Sequence, residues 1–375
     1  MPSSPLPSRA DFIAAGLYDP DAEGSYDRLD YLRWLSGLGF TLEEMVAGSE
    51  SDRFVAMAGD QRLVSGTRLT RDEAIRLSGA EPEAFDLITN AFGLLPIDGS
   101  PPGELGITAD EARAMAEFER LGAMFSTEEA LSFVRLIGSA LSRIAEAAVA
   151  LFLTDVEAEI LASGGSELTL ARKIYDAVGL LDGLGPRLDP ILRRHVLQAI
   201  ERSRRATIDQ YERLRFRYAI GFVDLVGFTE LAATLEVRDL RTFLREFEAR
   251  SFDTVSSAGA QVVKLIGDEV MFVSDAADDA CRAAIGLVES FSRHSHGEVL
   301  PRGGVAYGDV LVRGGDYFGS VVNLASRLAD HAVPGEVLVT EEVAAAAVSC
   351  AFEPAGRRMV KGFASPVAVH SMRST

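Results

Sequence analysis

The chain has 375 residues, 47% of them hydrophobic and 25% charged, with a formal net charge of −19 and two cysteines, Cys281 and Cys350. These totals support two folded domains with real cores. They argue against nucleic acid or an anionic membrane as a general partner, because an acidic surface repels both, and with no CxxC or Cys/His cluster they disfavour a zinc site and a disulfide framework.

The first ten residues are Pro/Ser-rich and are expected to fray. Met1-Pro2-Ser3-Ser4-Pro5 lacks the basic and apolar regions of a secretory signal, so a cytoplasmic protein is expected. From about Tyr26 a helical apolar face runs through Leu29, Leu32, Trp34, Leu35 and Leu38, punctuated by Gly37 and Gly39. Thr41 with Glu44, Thr70 with Glu73 and Thr108 with Glu111 are spaced to start helices, the side chain of each threonine capping the first turn. Gly79 breaks one helix, and Pro82 suits the start of the next, which carries Phe85, Leu87, Ile88 and Phe92. The pair resembles a helix-turn-helix, but its second helix bears Glu81, Glu83 and Asp86 and no basic residue, so a DNA-reading role is set aside.

A Pro/Gly-rich connection follows over residues 96–106. Ser126 and Glu129 then open a long helix with Phe133, Ile137, Leu141, Ile144, Ala148 and Leu151 at helical spacing, a stripe widened by Leu131, Val134, Ala145 and Phe152. So broad an apolar face predicts a central core helix or a subunit interface, and the core reading is favoured. The apolar stretch over 140–162 contains Arg143, Glu146, Asp155, Glu157 and Glu159, so no transmembrane segment is assigned. Gly164-Gly165 ends it, further helix is expected over 168–181, and no strand pattern stands out before residue 215. Residues 190–218 read as one arginine-rich connecting helix, in which His195 is a candidate pH sensor.

The second half changes character. A strand over 217–224 ends in Asp224, and helices follow over 230–235 and 238–255. Gln261 to Val273 reads as a hairpin around a Gly267-Asp268 turn, followed by a helix over 275–295 and strands over 299–312. A turn and helix over 316–331, a strand over 335–340 and a strand pair over 360–370 around Lys361-Gly362-Phe363 complete an α+β sheet of the ferredoxin-like kind. A carboxylate at the end of a buried strand is costly unless paired or bound to a cation. Asp224 and Asp268, at adjacent strand ends, would suppress each other's ionisation, and divalent cations with open positions for phosphate resolve that conflict. The Gly227-Phe228-Thr229 turn that follows exposes amides suited to phosphate. Taken alone, Lys264 and Asp316 read as surface charges, and Asn323 with Arg327 as one helix face.

Five stretches in order, FVDLVGFT, KLIGDEVMF, GDYFGSVVNLASR, GEVLVT and VKGF, make residues 218–375 resemble the class III nucleotidyl cyclase catalytic domain, closest to adenylyl cyclases of actinobacterial type. The resemblance implies an α+β, ferredoxin-like catalytic domain over 218–375, preceded by an all-α regulatory domain over 1–189 and a helical linker over 190–217. It implies that Asp224, Asp268 and the Leu225 carbonyl hold two divalent cations, Mg²⁺ or Mn²⁺, while Gly227, Phe228, Thr229 and Lys361 contact the triphosphate. It implies that Lys264 and Asp316 read adenine, favouring ATP over the GTP that family members with other residue types there use. Asn323 and Arg327 would orient the ribose and stabilise the transition state. It further implies a homodimer with shared sites, turning ATP into 3′,5′-cyclic AMP and pyrophosphate. Asp309 stands where many members carry a basic residue, which removes one triphosphate contact. A diguanylate cyclase is a weaker alternative, because the Gly-Gly-acidic-acidic-Phe turn is missing; a catalytically dead, nucleotide-sensing dimer is another.

Overall fold

A computed structural model describes residues 6–51, 53–63, 68–94, 106–120, 124–206, 216–294 and 299–373. The connection over 96–106 apart from Gly106, the linker over 207–215, and His296 lie outside the described residues. The chain divides into one unit over Met1–Leu192 and another over Arg193–Thr375.

The first unit is built from short helices: α1 (Arg9–Ala14), α2 (Ser25–Gly37), α3 (Leu42–Ser49), α4 (Met57–Leu63), α5 (Arg71–Ser78), α6 (Pro82–Ala91) and α7 (Ala109–Glu119). A two-residue ribbon, β1 (Arg68–Leu69) against β2 (Ile107–Thr108), is the strand pairing the sequence reading lacked. Thr41, Thr70 and Thr108 each cap their helix reciprocally with the glutamate three residues on. The expected fraying stops earlier than residue 10: Ser8 caps α1, which buries Phe12 among Tyr31, Leu32, Leu35 and Met45. A second cluster joins Ala74, Phe85, Ile88, Met115 and Val134. On α6, Asp86 is taken by Arg71 of α5 at 2.6 Å.

Helix α8 (Thr127–Phe152) passes through a π-turn at Leu153–Glu157 into α9 (Ala158–Ala162), and α10 (Glu167–Gly179) follows. The core expectation for α8 does not hold among the described residues. Its buried residues are Ala130, Val134 and Gly138, whereas Phe133, Leu141, Ile144 and Leu151 are exposed. Its periodicity announced an apolar face without saying what covers it. The run Thr127–Ala162 starts earlier than the stretch weighed above, and by length and composition it is a candidate membrane span. Helix α11 (Leu184–Ala206) begins before the predicted connector and holds Pro190 internally; residues 216–218, expected at its end, are strand.

The second unit is a mostly antiparallel sheet. Its strands are β3 (Phe216–Val226), β4 (Gln261–Ile266), β5 (Glu269–Ser274), β6 (Leu300–Arg313), β7 (Asp316–Phe318), β8 (Glu336–Thr340), β9 (Glu353–Arg358) and β10 (Val367–Arg373). They run in the order β4-β5-β3-β6-β8-β10-β9, with β7 folded back on β6 and β6–β8 the parallel pair. Between them lie α12 (Phe228–Thr234), α13 (Val237–Ser257), α14 (Ala277–His294), α15 (Ser320–His331) and α16 (Glu341–Ala346).

Strand alternation divides β3 between two cores. Ala219, Val223 and Leu225 pack with α13 and α14, while Tyr218, Ile220 and Phe222 pack with Ala325 and Ala329 of α15. Helix α15 lies so close to the sheet that a Cβ on Gly304 would meet the Ala325 carbonyl oxygen and the Ala329 nitrogen at 2.3 Å each.

Three details depart from the sequence reading. The strands expected over 299–312 are one long strand, Leu300–Arg313. The last strand pair, β9 with β10, keeps Lys361-Gly362-Phe363 between its strands but starts at Glu353, so Val360 is not strand and the intervening loop is longer. Strand β9 and helix α16 were not anticipated.

Candidate active site

Asp224 is the third residue from the end of β3, on the α15 face of the sheet by alternation from Tyr218, Ile220 and Phe222. Its neighbours in register are Glu269 on β5 and Arg302 on β6, so these three side chains form a row across that face. Asp268 stands in the turn between β4 and β5, where Gly267 takes φ +65°, a conformation suited to glycine. Burial, followed by repulsion from Asp224, raises the Asp268 carboxyl above its ordinary value. Glu269, the next residue, is half-buried. Desolvation, then Asp224, Asp330 and Asp268, push it up to about 7.

Arg302 is the residue the sequence reading missed. Its Nε and Nη2 donate to Asp224 Oδ2 at 3.2 and 3.0 Å, and its Nη1 donates to the Asp330 carbonyl near the end of α15 at 2.6 Å. The only signal in the sequence was a charge at the start of a glycine-rich strand. Its partner lies 78 positions away, a pairing set by strand register.

Gly227 follows β3 with φ +90° and caps α12, so Phe228 and Thr229 occupy the first turn of that helix, where amides have no intrahelical acceptor. Leu225 is 2% exposed and belongs to the core on the other face. Among the described residues no group of three or more His, Cys, Asp or Glu is placed to hold a metal ion. Asp224 and Asp268 nevertheless fit a divalent cation: they are adjacent oxygen donors, close enough that the Asp224 charge helps to raise the Asp268 carboxyl, and ions of the Mg²⁺ type take few protein carboxylates and fill the remaining positions with water and phosphate.

A second pair forms apart from the first. Lys264 on β4 and Asp316 at the start of β7 are joined by an ion pair, and Asp316 Oδ1 also accepts from the Tyr317 amide at 2.9 Å. A register shift between Val262 and Lys264 sets Lys264 opposite Met271, a residue of the α15-face core. Asn323 and Arg327 lie one turn apart on α15, Asn323 exposed and Arg327 half-buried. Lys361 is exposed in its loop. Among the described residues, no side-chain hydrogen bond or ion pair joins Asn323, Arg327 or Lys361 to either pair. Asp309 lies opposite Arg217 in the β3–β6 register, with a basic neighbour across the strands. His195 is exposed on α11.

A sequence profile described as the adenylate and guanylate cyclase catalytic domain matches residues 215–373. An uncharacterised protein of Mycobacterium tuberculosis is 32% identical over 358 residues, covering 94% of this chain and 91% of that protein. An adenylate cyclase of Streptomyces coelicolor is 32% identical over 276 residues, covering 72% of this chain and 70% of its own. Among solved structures, an adenylyl cyclase of P. aeruginosa aligns with a TM-score of 0.40 and 24% identity, over 43% of this chain and 95% of that one. With relatives that align across both units and a cyclase profile over the sheet unit, the chain belongs to the class III adenylate and guanylate cyclase family.

Proposed function

We propose that this chain is an adenylate cyclase, turning ATP into 3′,5′-cyclic AMP and pyrophosphate as a homodimer with two shared sites, and that the first unit, about residues 1–189, regulates it through the linker over 190–217. The observation that carries the reading is that one chain holds two half-sites of different chemistry. Asp224 and Asp268 form one, Lys264 and Asp316 the other, and no hydrogen bond or ion pair joins them among the described residues. A second copy facing the first would complete both.

In that arrangement Asp316 accepts from the adenine N6 amino group and Lys264 donates to N1. Guanine offers an acceptor at position 6 and an N–H at N1, which reverses both contacts. Asn323 orients the ribose, and Arg327 faces the charge that gathers on the α-phosphorus as the 3′-oxygen attacks and the bond to pyrophosphate breaks. The amides of Gly227, Phe228 and Thr229, with Lys361, hold the triphosphate. Asp224, Asp268 and the Leu225 carbonyl would hold Mg²⁺ or Mn²⁺, which when bound neutralises triphosphate charge and favours loss of the 3′-hydroxyl proton. Positioning and electrostatics suffice, with no side-chain nucleophile.

The test is product analysis with the full chain. Cyclic AMP from ATP with Mg²⁺ or Mn²⁺, and at most a small fraction of that rate with GTP, is expected. A cyclic dinucleotide from GTP, or nucleotide binding with no product under either cation, would overturn the reading.

A further inference from the structure

Arg302 is held from two sides. Two of its nitrogens converge on a single oxygen of Asp224, at 3.2 and 3.0 Å, and the third reaches the Asp330 carbonyl at 2.6 Å. Nη2 also lies 3.5 Å from Asp330 Oδ1. The Arg302 and Asp224 side chains are each 22% exposed, so the pair is shielded from full solvent screening. A guanidinium anchored by both a strand partner and a helix end does not leave Asp224 at small cost. The contact uses Oδ2 and leaves Oδ1 without a contact from Arg302.

We propose that Arg302 is a built-in counter-ion of the cation site that makes divalent-cation loading depend on nucleotide. The inference rests on Asp224 being a cation ligand, as argued above. Two effects of Arg302 on a cation at Asp224 oppose each other. Holding the carboxylate in one rotamer favours binding, but only by the modest ordering cost of a short side chain. A fixed positive charge two bonds beyond a ligand oxygen disfavours a divalent ion, and at such range inside a partly shielded site the repulsion is the larger effect. A cation arriving alone therefore meets a neutralised aspartate and too few protein ligands, since no cluster of three or more is formed among the described residues. A triphosphate supplies both the missing oxygens and the negative charge that outweighs the arginine. Asp330, on the helix that carries Asn323 and Arg327, completes the clamp. Arg302 acts through Asp224 and is a positioning residue.

The test is Mn²⁺ binding to the full chain, followed by the loss of the free-ion paramagnetic resonance signal, with and without a non-cyclisable ATP analogue. Wild-type protein is expected to bind Mn²⁺ at least about tenfold more tightly with the analogue than without it. Equal affinity overturns the proposal without any variant. Arg302→Gln is expected to tighten nucleotide-free Mn²⁺ binding by about tenfold, and Arg302→Lys, which keeps the charge, to stay within about threefold of wild type. A purely structural arginine predicts instead that Gln and Lys weaken Mn²⁺ binding equally, and that result overturns the proposal. No tightening in Arg302→Gln, with Asp224→Asn still abolishing turnover, overturns this inference alone. Tightening that survives in the Arg302→Gln/Asp224→Asn double variant overturns the cation reading of Asp224 and this inference with it.

Discussion

Two apolar helices of this chain invite comparison. Helix α14 buries Ala280, Cys281, Ala283, Ala284, Leu287 and Val288 among the sheet and its neighbours. Helix α8, with an equally clear apolar period, leaves Phe133, Leu141, Ile144 and Leu151 between 51% and 62% exposed. Periodicity in each helix states that a face is apolar; it does not state what lies against it. In the sheet unit the partner is the chain itself, and the face packed by α15 also carries the row Glu269, Asp224 and Arg302. The sheet unit thus places chemistry on a closed core, whereas the first unit offers apolar surface that the described chain does not cover.

The sharpest break between the units should be chemical. Asp268→Ala is expected to lower cyclic AMP formation by at least about a hundredfold with an unchanged circular dichroism spectrum, as removal of a group that supports transition-state electrostatics does. The same assay on Leu151→Ala should show a change of no more than a few fold. Stability should separate the helices next. Leu287→Ala is expected to cost about 2–5 kcal/mol in chemical denaturation, the usual cost of deleting a buried side chain. Leu151→Ala should cost under about 0.5 kcal/mol, as exposed positions do. A large loss at Leu151 would mean that something covers α8 in solution. Removing residues 1–200 should change the specific activity severalfold; an unchanged rate would remove the regulatory role proposed for the first unit.

The smallest effect is in pH. The folded-state value of Glu269, about 7, lies above its ordinary value of 4.5. Its stabilising contribution is therefore fully present below about 4.5 and is lost as pH rises through about 7. With cations removed by EDTA, wild-type protein should lose more thermal stability between pH 5 and 8 than Glu269→Gln, and the two profiles should converge at the acidic end. Parallel profiles would contradict the burial argument.

Local signals in the sequence carried far into this fold. The threonine caps at 41, 70 and 108, the Ile266-Gly267-Asp268-Glu269 turn and the helix bearing Asn323 and Arg327 were legible because each depends on neighbours within a few positions. Strand β9 was not legible: Glu353 to Arg358 is an edge strand containing Pro354 and Gly356, with no apolar alternation to announce it. Nor was Arg302, whose role depends on which strand pairs with β3 and in what register. Lys361 lies between the last two strands, but those strands run over Glu353–Arg358 and Val367–Arg373 rather than over 360–370. Of the candidate site, the residue types and their order could be read; the ion pairs that tune them required the sheet.

The central claim is that two copies complete each other's half-sites, and mixing two inactive variants tests it most directly. Asp268→Ala and Asn323→Ala are each expected to be inactive alone. A mixture in which mass spectrometry shows the heterodimer to have formed should regain cyclic AMP production, because one of its two sites would then have all of its residues intact. A mixture that forms heterodimers and stays inactive would contradict the shared-site account.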